Sequence, residues 1–206
     1  LYDDKKKNLL NTNQIKKISL DAIIISPGID IHKCKLSKNL KENLDIIYTD
    51  LDVFYSFNKN QFITITGTNG KSTTCQLLYE VLKKQKFDVR LGGNIGKPIL
   101  SFKKFNKKTL FVIEASSYQL EYSKLFKSKY AAILNISPDH LDRHTTIQKY
   151  VNAKFKLLQN QSKNSFGLIN KYDNRIMSKI KKSRYQTKII LVDTVLENKF
   201  LKKFKN

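Results

Sequence analysis

Arginine and cysteine are scarce in this chain of 206 residues, and long apolar runs are missing. The two cysteines, Cys34 and Cys75, lie far apart and fit no metal or redox spacing, so they read as reduced, structural thiols. No apolar stretch approaches a membrane span, and the first residues carry neither the apolar region nor the cleavage pattern of a signal peptide. A soluble, cytoplasmic protein is expected. Four of the 39 basic residues are arginine, the side chain whose planar fork suits paired contacts to bases and phosphates. The formal charge of +22 is carried by lysines spread over helix faces and loops among many asparagines and isoleucines. That distribution fits a solvated surface rather than a specific nucleic-acid partner, and the lysine-dense stretches 179–188 and 199–205 read as solvated helix and tail.

What the chain does contain is a strand that breaks at glycine and restarts as a helix: Phe62-Ile63-Thr64-Ile65-Thr66-Gly67-Thr68-Asn69-Gly70-Lys71-Ser72-Thr73-Thr74. Backbone N–H groups in such a turn, together with the positive end of the helix dipole, converge on an anion. The lysine reaches terminal phosphates and the following hydroxyl can ligate Mg²⁺. The usual longer spacing would want glycine at Ile65, so the pattern here is the shorter G-x-x-G-K-S beginning at Gly67. An ordinary glycine-capped turn is the alternative, and the strand before and helix after the turn favour phosphate binding.

Length and a hydrophobic content of 40% allow one large or two small domains with a core. Apolar, β-rich runs at 22–26, 45–48, 62–66, 89–91, 110–114, 131–136, 166–170 and 189–192 alternate with helical stretches. The expected fold is α/β, a mostly parallel sheet flanked by helices. The helix after the loop is expected to reach about Gln85 and to bury Leu77, Leu78, Val81 and Leu82. Ligands of such sheets collect at the carboxyl ends of the strands, where Gly67, Asn94, Glu114, Asn135 and Asn170 fall.

Four clusters add detail. Gly92-Gly93-Asn94-Ile95-Gly96-Lys97-Pro98 permits close backbone approach, and Asn94 can present an amide to a ligand. Glu114, ending an apolar run beside Ser116, Ser117 and Gln119, is placed to hold Mg²⁺, with an ion pair or helix cap as the alternative. Asp139-His140-Leu141-Asp142-Arg143-His144 could bind metal, orient a water or stabilise an anion. A helix over 145–159 shows a buried stripe of Tyr150, Val151, Phe155 and Leu158, and periodicity alone makes Lys154 a snorkelling surface lysine.

Taken in order, the phosphate loop, Gly-Gly-Asn-Ile-Gly, Glu-x-Ser-Ser-Tyr-Gln-Leu-Glu, Asp-His-Leu-Asp-Arg-His and Asn152-Ala153-Lys154 resemble the Mur ligase family. Ser26-Pro27-Gly28-Ile29 resembles a loop of that family's first domain near the UDP diphosphate, and the likeness runs from about residue 21 to 173. The resemblance implies a P-loop NTPase-like central domain at 59–206 and the end of a UDP-binding Rossmann-like domain at 1–58. It implies an ATP- and Mg²⁺-dependent ligase that activates a carboxylate as an acyl phosphate. The pairing of the loop with Gly-Gly-Asn-Ile-Gly favours the branch that adds D-glutamate to UDP-N-acetylmuramoyl-L-alanine. By resemblance, Gly67, Thr68, Asn69, Gly70, Lys71, Ser72 and Thr73 hold ATP. Ser72 and Glu114 hold one Mg²⁺, His140 a second metal or the acyl phosphate, and Lys154 is carbamylated and supports metal. Gly28, Asn94, Ser116 and Gln119 match substrate contacts. The protein is expected to be a monomer. Family members open with a complete first domain and close with a C-terminal one. With about 60 residues before the loop and about 130 after it, this chain is expected to be truncated and not to complete ligation alone. Other readings are a non-catalytic ATP-binding module, another Mur ligase or folylpolyglutamate synthase relative, and a nucleic-acid-associated P-loop protein.

Overall fold

A computed structural model describes residues 12–15 and 18–193. The first elements, α1 (Thr12–Ile15), β1 (Ile23–Ile24), α2 (Ser37–Glu42) and β2 (Ile47–Tyr48), form a small unit in which β1 and β2 pair in parallel. Its core is Ile25, Ile31, Leu36, Leu40 and Ile47. Next come α3 (Asp50–Phe57), β3 (Gln61–Thr66), α4 (Lys71–Lys84), β4 (Val89–Gly93), β5 (Leu110–Glu114), α5 (Ser117–Glu121) and β6 (Tyr130–Ile133). They are followed by α6 (Leu141–His144), α7 (Ile147–Gln159), β7 (Phe166–Asn170), α8 (Asn174–Lys181) and β8 (Lys188–Val192). Strands β3 to β8 form one sheet, parallel throughout, in the order β4-β5-β3-β6-β7-β8. No helix among the described residues is long and apolar enough to cross a membrane.

Successive side chains of a strand point to opposite faces, and this alternation divides the core in two. Phe62, Phe111, Ile113, Ala131 and Ile133 face one layer, where they meet Leu51 and Phe54 of α3 and Tyr150, Val151, Phe155 and Leu158 of α7. Ile63, Ile65, Leu110, Val112, Ala132 and Leu134 face the other, against α4. Phe62 and Phe111 stack across adjacent strands with centroids 5.5 Å apart, and Phe54 meets Phe111 edge-on at 5.2 Å. Such pairs add about 0.5–1.5 kcal/mol each beyond the area they bury.

Three expectations change in detail. The α4 face toward the sheet is Cys75, Leu78, Tyr79 and Leu82, an i, i+3, i+4, i+7 stripe, while Leu77 and Val81 are 63% and 51% exposed. The expected helix is present but rotated about its axis, because fully buried Cys75 belongs to the stripe that faces the sheet. Strand β6 ends at Ile133 instead of 136: Leu134 N still bonds Thr66 O of β3, but Asn135 turns to hydrogen-bond the phosphate loop. Helix α3 falls within residues expected to belong to the first domain, yet Leu51 and Phe54 pack in the core of the large sheet.

Where the small unit meets the large one, a single buried carboxylate gathers the chain. Asp52 Oδ1 accepts hydrogen bonds from Ser123 Oγ and from the backbone N–H groups of Lys124, Leu125 and Phe126 at 2.8–3.0 Å. Its Oδ2 accepts from Thr49 N at 3.0 Å and Thr49 Oγ1 at 3.2 Å. Removing this acceptor strands several buried donors at once, each a substantial desolvation cost. Asp52→Ala is expected to lower unfolding free energy by about 3 kcal/mol or more, while Leu77→Ala on the exposed face of α4 stays within about 0.5 kcal/mol of the parent. Urea denaturation of the two variants checks both; a neutral Asp52→Ala would remove the carboxylate from its structural role.

Candidate active site

The turn after β3 is shaped by glycine at two positions. Gly70 caps α4 with φ at 79°, in the left-handed region that L side chains rarely adopt. A Cβ on buried Gly67 would stand 3.1 Å from Leu134 Cβ, so the turn lies tight against the end of β6. Lys71 Nζ donates to Thr68 O at 2.7 Å, folding the lysine over its own loop. Asn69 and Gly70 are exposed.

On one side of the loop lies Glu114, the last residue of β5 and 1% exposed. Ser72 Oγ donates to its Oε2 at 2.8 Å, and Asn94 Nδ2 donates to its Oε1 at 2.8 Å. Asn94 N also donates to the Glu114 carbonyl at 2.8 Å. This close approach requires glycine before it: Gly93 has φ at 103°, and a Cβ there would fall 2.3 Å from the Glu114 carbonyl oxygen. Behind the loop, Lys154 is 1% exposed and Nζ donates to Gly67 O at 2.8 Å while lying 4.5 Å from the centre of the Tyr150 ring. The snorkelling arrangement suggested by periodicity is therefore replaced by a buried amine. Burial, reinforced by the charge of Lys71, pulls its pKa from the usual 10.5 to about 7, against opposing pulls from Asp139 and Glu114.

Thr68 ties the loop to the segment after β6. Its hydroxyl accepts from Ser137 N at 3.0 Å, donates to Ser137 O at 3.2 Å and lies 3.1 Å from Tyr150 Oη. With the single Thr68 proton used on Ser137, Tyr150 is the donor in that last contact. Asn135, whose role the sequence left unassigned, makes two hydrogen bonds to Asn69 backbone atoms. Its position at the end of the strand beside β3 is the only trace the sequence carries of that contact.

The remaining expected residues are more dispersed. His140 is exposed, with φ at 53°, and its ring faces Asp139 (Nε2 to Oδ2, 3.3 Å) and Tyr118 (centroids 5.0 Å). The other histidine of that motif, His144, is buried, bonded to Ser117 Oγ at 3.0 Å and pushed down to about 4, chiefly by burial and then by Arg143. Ser116 and Gln119 form a reciprocal cap on α5, and Gln119 Nε2 donates to Asp50 Oδ2 at 3.1 Å. Gly28 lies exposed in the turn after β1. Of the four residues expected to support metal, Ser72 and Glu114 touch each other, Lys154 reaches the loop from behind, and His140 contacts neither Ser72 nor Glu114 by hydrogen bond. No group of three or more His, Cys, Asp or Glu side chains among the described residues is arranged for a metal ion.

Sheet order, loop and strand-end carboxylate define an α/β phosphate-loop domain. Residues 65–203 match the Mur ligase middle domain, and the chain belongs to the Mur ligase family. It is 42% identical over 159 residues to UDP-N-acetylmuramoylalanine--D-glutamate ligase of Caldicellulosiruptor bescii, covering 76% of this chain and 34% of that protein. It is 41% identical over 168 residues to the ligase of that name from Rickettsia bellii, covering 80% and 36%. The chain thus spans about a third of the length of these curated relatives. Among solved structures, UDP-N-acetylmuramate:L-alanyl-gamma-D-glutamyl-meso-diaminopimelate ligase from Neisseria meningitides shares the fold with a TM-score of 0.57 at 18% identity, over 87% of this chain and 60% of that one. MurF ligase from Thermotoga maritima, in complex with ADP, gives 0.52 at 19% identity, over 72% and 38%.

The buried Lys154 makes a pH-dependent contribution whose sign is fixed. Its folded pKa lies below the unfolded one, so between about pH 7 and 10.5 the unfolded chain holds a proton that the folded chain has released. Raising pH through that window stabilises the fold. Relative to Lys154→Met, the parent is expected to gain about 2 kcal/mol of unfolding free energy between pH 7 and pH 9. Parallel stability curves for parent and variant would mean that the amine is not held neutral.

Proposed function

We propose that the chain is the nucleotide-binding part of an ATP-dependent ligase joining D-glutamate to UDP-N-acetylmuramoyl-L-alanine, a step in making the peptidoglycan precursor. One observation carries this reading: the glycine-bounded loop, Lys71 and the Ser72–Glu114 pair converge at the carboxyl edge of the parallel sheet. The relatives at 42% and 41% identity bear the name of that ligase, and ADP accompanies the Thermotoga maritima MurF structure. In this reading the chain divides near Thr49, ahead of α3, with the part before it belonging to a UDP-binding domain whose Gly28 turn faces the diphosphate.

In the proposed reaction the γ-phosphoryl group of ATP passes to a carboxylate oxygen of the muramoyl-alanine, releasing ADP. The amine nitrogen of D-glutamate then attacks the acyl carbon, phosphate leaves with the bonding electrons, and the nitrogen gives up its proton to leave an amide. The loop amides that Asn135 leaves unpaired, together with the Lys71 ammonium, would receive the phosphates. Ser72 Oγ and Glu114 supply hard oxygen donors 2.8 Å apart, a pair that suits Mg²⁺ when phosphate oxygens and waters complete its shell. Bound there, Mg²⁺ would neutralise charge on the transferring group. His140, exposed beside Asp139, would meet the acyl phosphate or a second cation. Asn94, Ser116 and Gln119 would contact the muramoyl-alanine. A neutral Lys154 amine can add CO₂ and release a proton to become a carbamate anion, and its burial favours the neutral form this needs.

Lys71→Ala is expected to weaken Mg·ATP binding at least about tenfold, as loss of a charged phosphate donor should. Calorimetric titration of parent and variant checks this, and equal affinities would refute the loop assignment. Ligation is tested by following ADP release that requires both UDP-N-acetylmuramoyl-L-alanine and D-glutamate, with the chain alone and with a relative's C-terminal domain supplied. Release with L-alanine, a diamino acid or a dipeptide in place of D-glutamate would move the chain to another branch of the family.

A further inference from the structure

A phosphate loop must hold its shape without spending on itself the N–H groups it offers to the anion. In this chain Asn135 Oδ1 accepts from Asn69 N at 2.9 Å, and Asn135 Nδ2 donates to Asn69 O at 3.0 Å. The Asn135 carbonyl also accepts from Thr68 N at 3.0 Å. One side chain therefore pairs with both polar atoms of one loop residue, as a neighbouring strand would. The amide's orientation is dictated by these partners, because turning it over would set N–H against N–H and oxygen against oxygen. The backbone under Asn135 is fixed in turn. Leu134 N donates to Thr66 O at 3.0 Å, continuing the β3–β6 ladder one residue past Ile133.

We infer that Asn135 is a positioning residue for the phosphate loop: its side chain fixes the Asn69 peptides so that the neighbouring N–H groups stay aimed at the triphosphate. The inference deepens the nucleotide reading given above and rests on it for its functional consequence. It separates from the role of Lys71, which supplies charge. Asn135 touches the loop from its sheet side and supplies orientation, so its loss should affect ligands through their phosphates alone. Other parts of the ligand should be unaffected.

Two measurements test it. The first needs no ligand. The Asn69 amide proton, protected by Asn135 in the parent, is expected to exchange with solvent at least about tenfold faster in Asn135→Ala when followed by NMR, with the amides of β3 and β5 unchanged. The second is affinity for Mg·ATP and for Mg·tripolyphosphate, each expected to fall about tenfold in Asn135→Ala, with the melting temperature held within a few degrees. Asn135→Asp keeps the size and the acceptor for Asn69 N but sets a carboxylate oxygen against Asn69 O, so it should bind both ligands more weakly than Asn135→Ala. An Asp variant as good as the parent would reduce Asn135 to a packing residue, and unchanged exchange at Asn69 would overturn the mooring itself. Lys71→Ala is titrated alongside. If that variant loses affinity while Asn135→Ala keeps it, the nucleotide reading stands and the positioning role fails. If the parent binds neither ligand, the nucleotide reading fails and takes the functional half of the inference with it, leaving the exchange result to decide the mooring.

Discussion

The phosphate loop must turn unpaired amide groups toward an anion, so whatever holds it has to come from behind or from the side. Backbone N–H groups that face away from the ligand find partners in the sheet or in its extensions, and carbonyls find partners in side chains. Gly67 O receives Lys154, Thr68 O receives Lys71, and Asn69 O receives Asn135. Three consecutive carbonyls are thus occupied by three side chains from three parts of the chain. A loop fixed in this way needs little reordering when a ligand arrives, which is how preorganised electrostatic sites avoid a cost at the moment of reaction.

Those side chains can converge because of strand order and register. β5 and β6 flank β3 directly, with Ile65 opposite Glu114 and Thr66 opposite Ile133. The residues just past these positions therefore emerge on one edge: Gly67 from β3, Glu114 itself from β5, and Leu134 and Asn135 from β6. All-parallel pairing is essential, since an antiparallel neighbour would send its carboxyl end to the opposite edge of the sheet. Lys154 reaches the same place from α7, whose packing on Phe62, Ala131 and Ile133 sets it beneath the turn.

Much of this was legible in the residues. Alternating apolar runs marked six strands of the large sheet, and the glycine-bounded loop marked the turn, because both are local patterns. The orientation of α4 was not, since Leu77 and Val81 are as apolar as Leu78 and Leu82, and only the fit of Cys75 and Tyr79 against Val89 and Val112 decides which stripe faces inward. Lys154 was misjudged by periodicity for a related reason. A lysine on the buried side of a helix is acceptable only where an acceptor waits, and here that acceptor is Gly67 O, 87 residues earlier in the chain. The resemblance of Asn-Ala-Lys to a family motif singled out the residue. Its burial emerged only in the fold. Asn135 left a weaker trace still, because its partner is backbone and backbone hydrogen bonds leave no mark on residue identity at the other end.

The same accounting bears on the residues expected to meet the muramoyl-alanine. Gln119 Oε1 already accepts from Ser116 N at 3.2 Å, and one of its two amide N–H groups is committed to Asp50. The same Oε1, with two lone pairs, also accepts from Ser116 Oγ at 3.4 Å, so Gln119 keeps a single N–H for a ligand. Ser116 Oγ is spent on capping α5. Asn94 differs: its Nδ2 gives one N–H to Glu114, leaving a second N–H and the Oδ1 acceptor on an exposed side chain. A ligand on this side would therefore find its fullest pairing at Asn94 and only one donor at Gln119. Contact at Asn94 also bears directly on Glu114, because both belong to one hydrogen-bonded chain that runs from Asn94 through the carboxylate to Ser72 and the start of α4. A carboxylate drawn toward Asn94 on one oxygen and Ser72 on the other stays centred between the two loops.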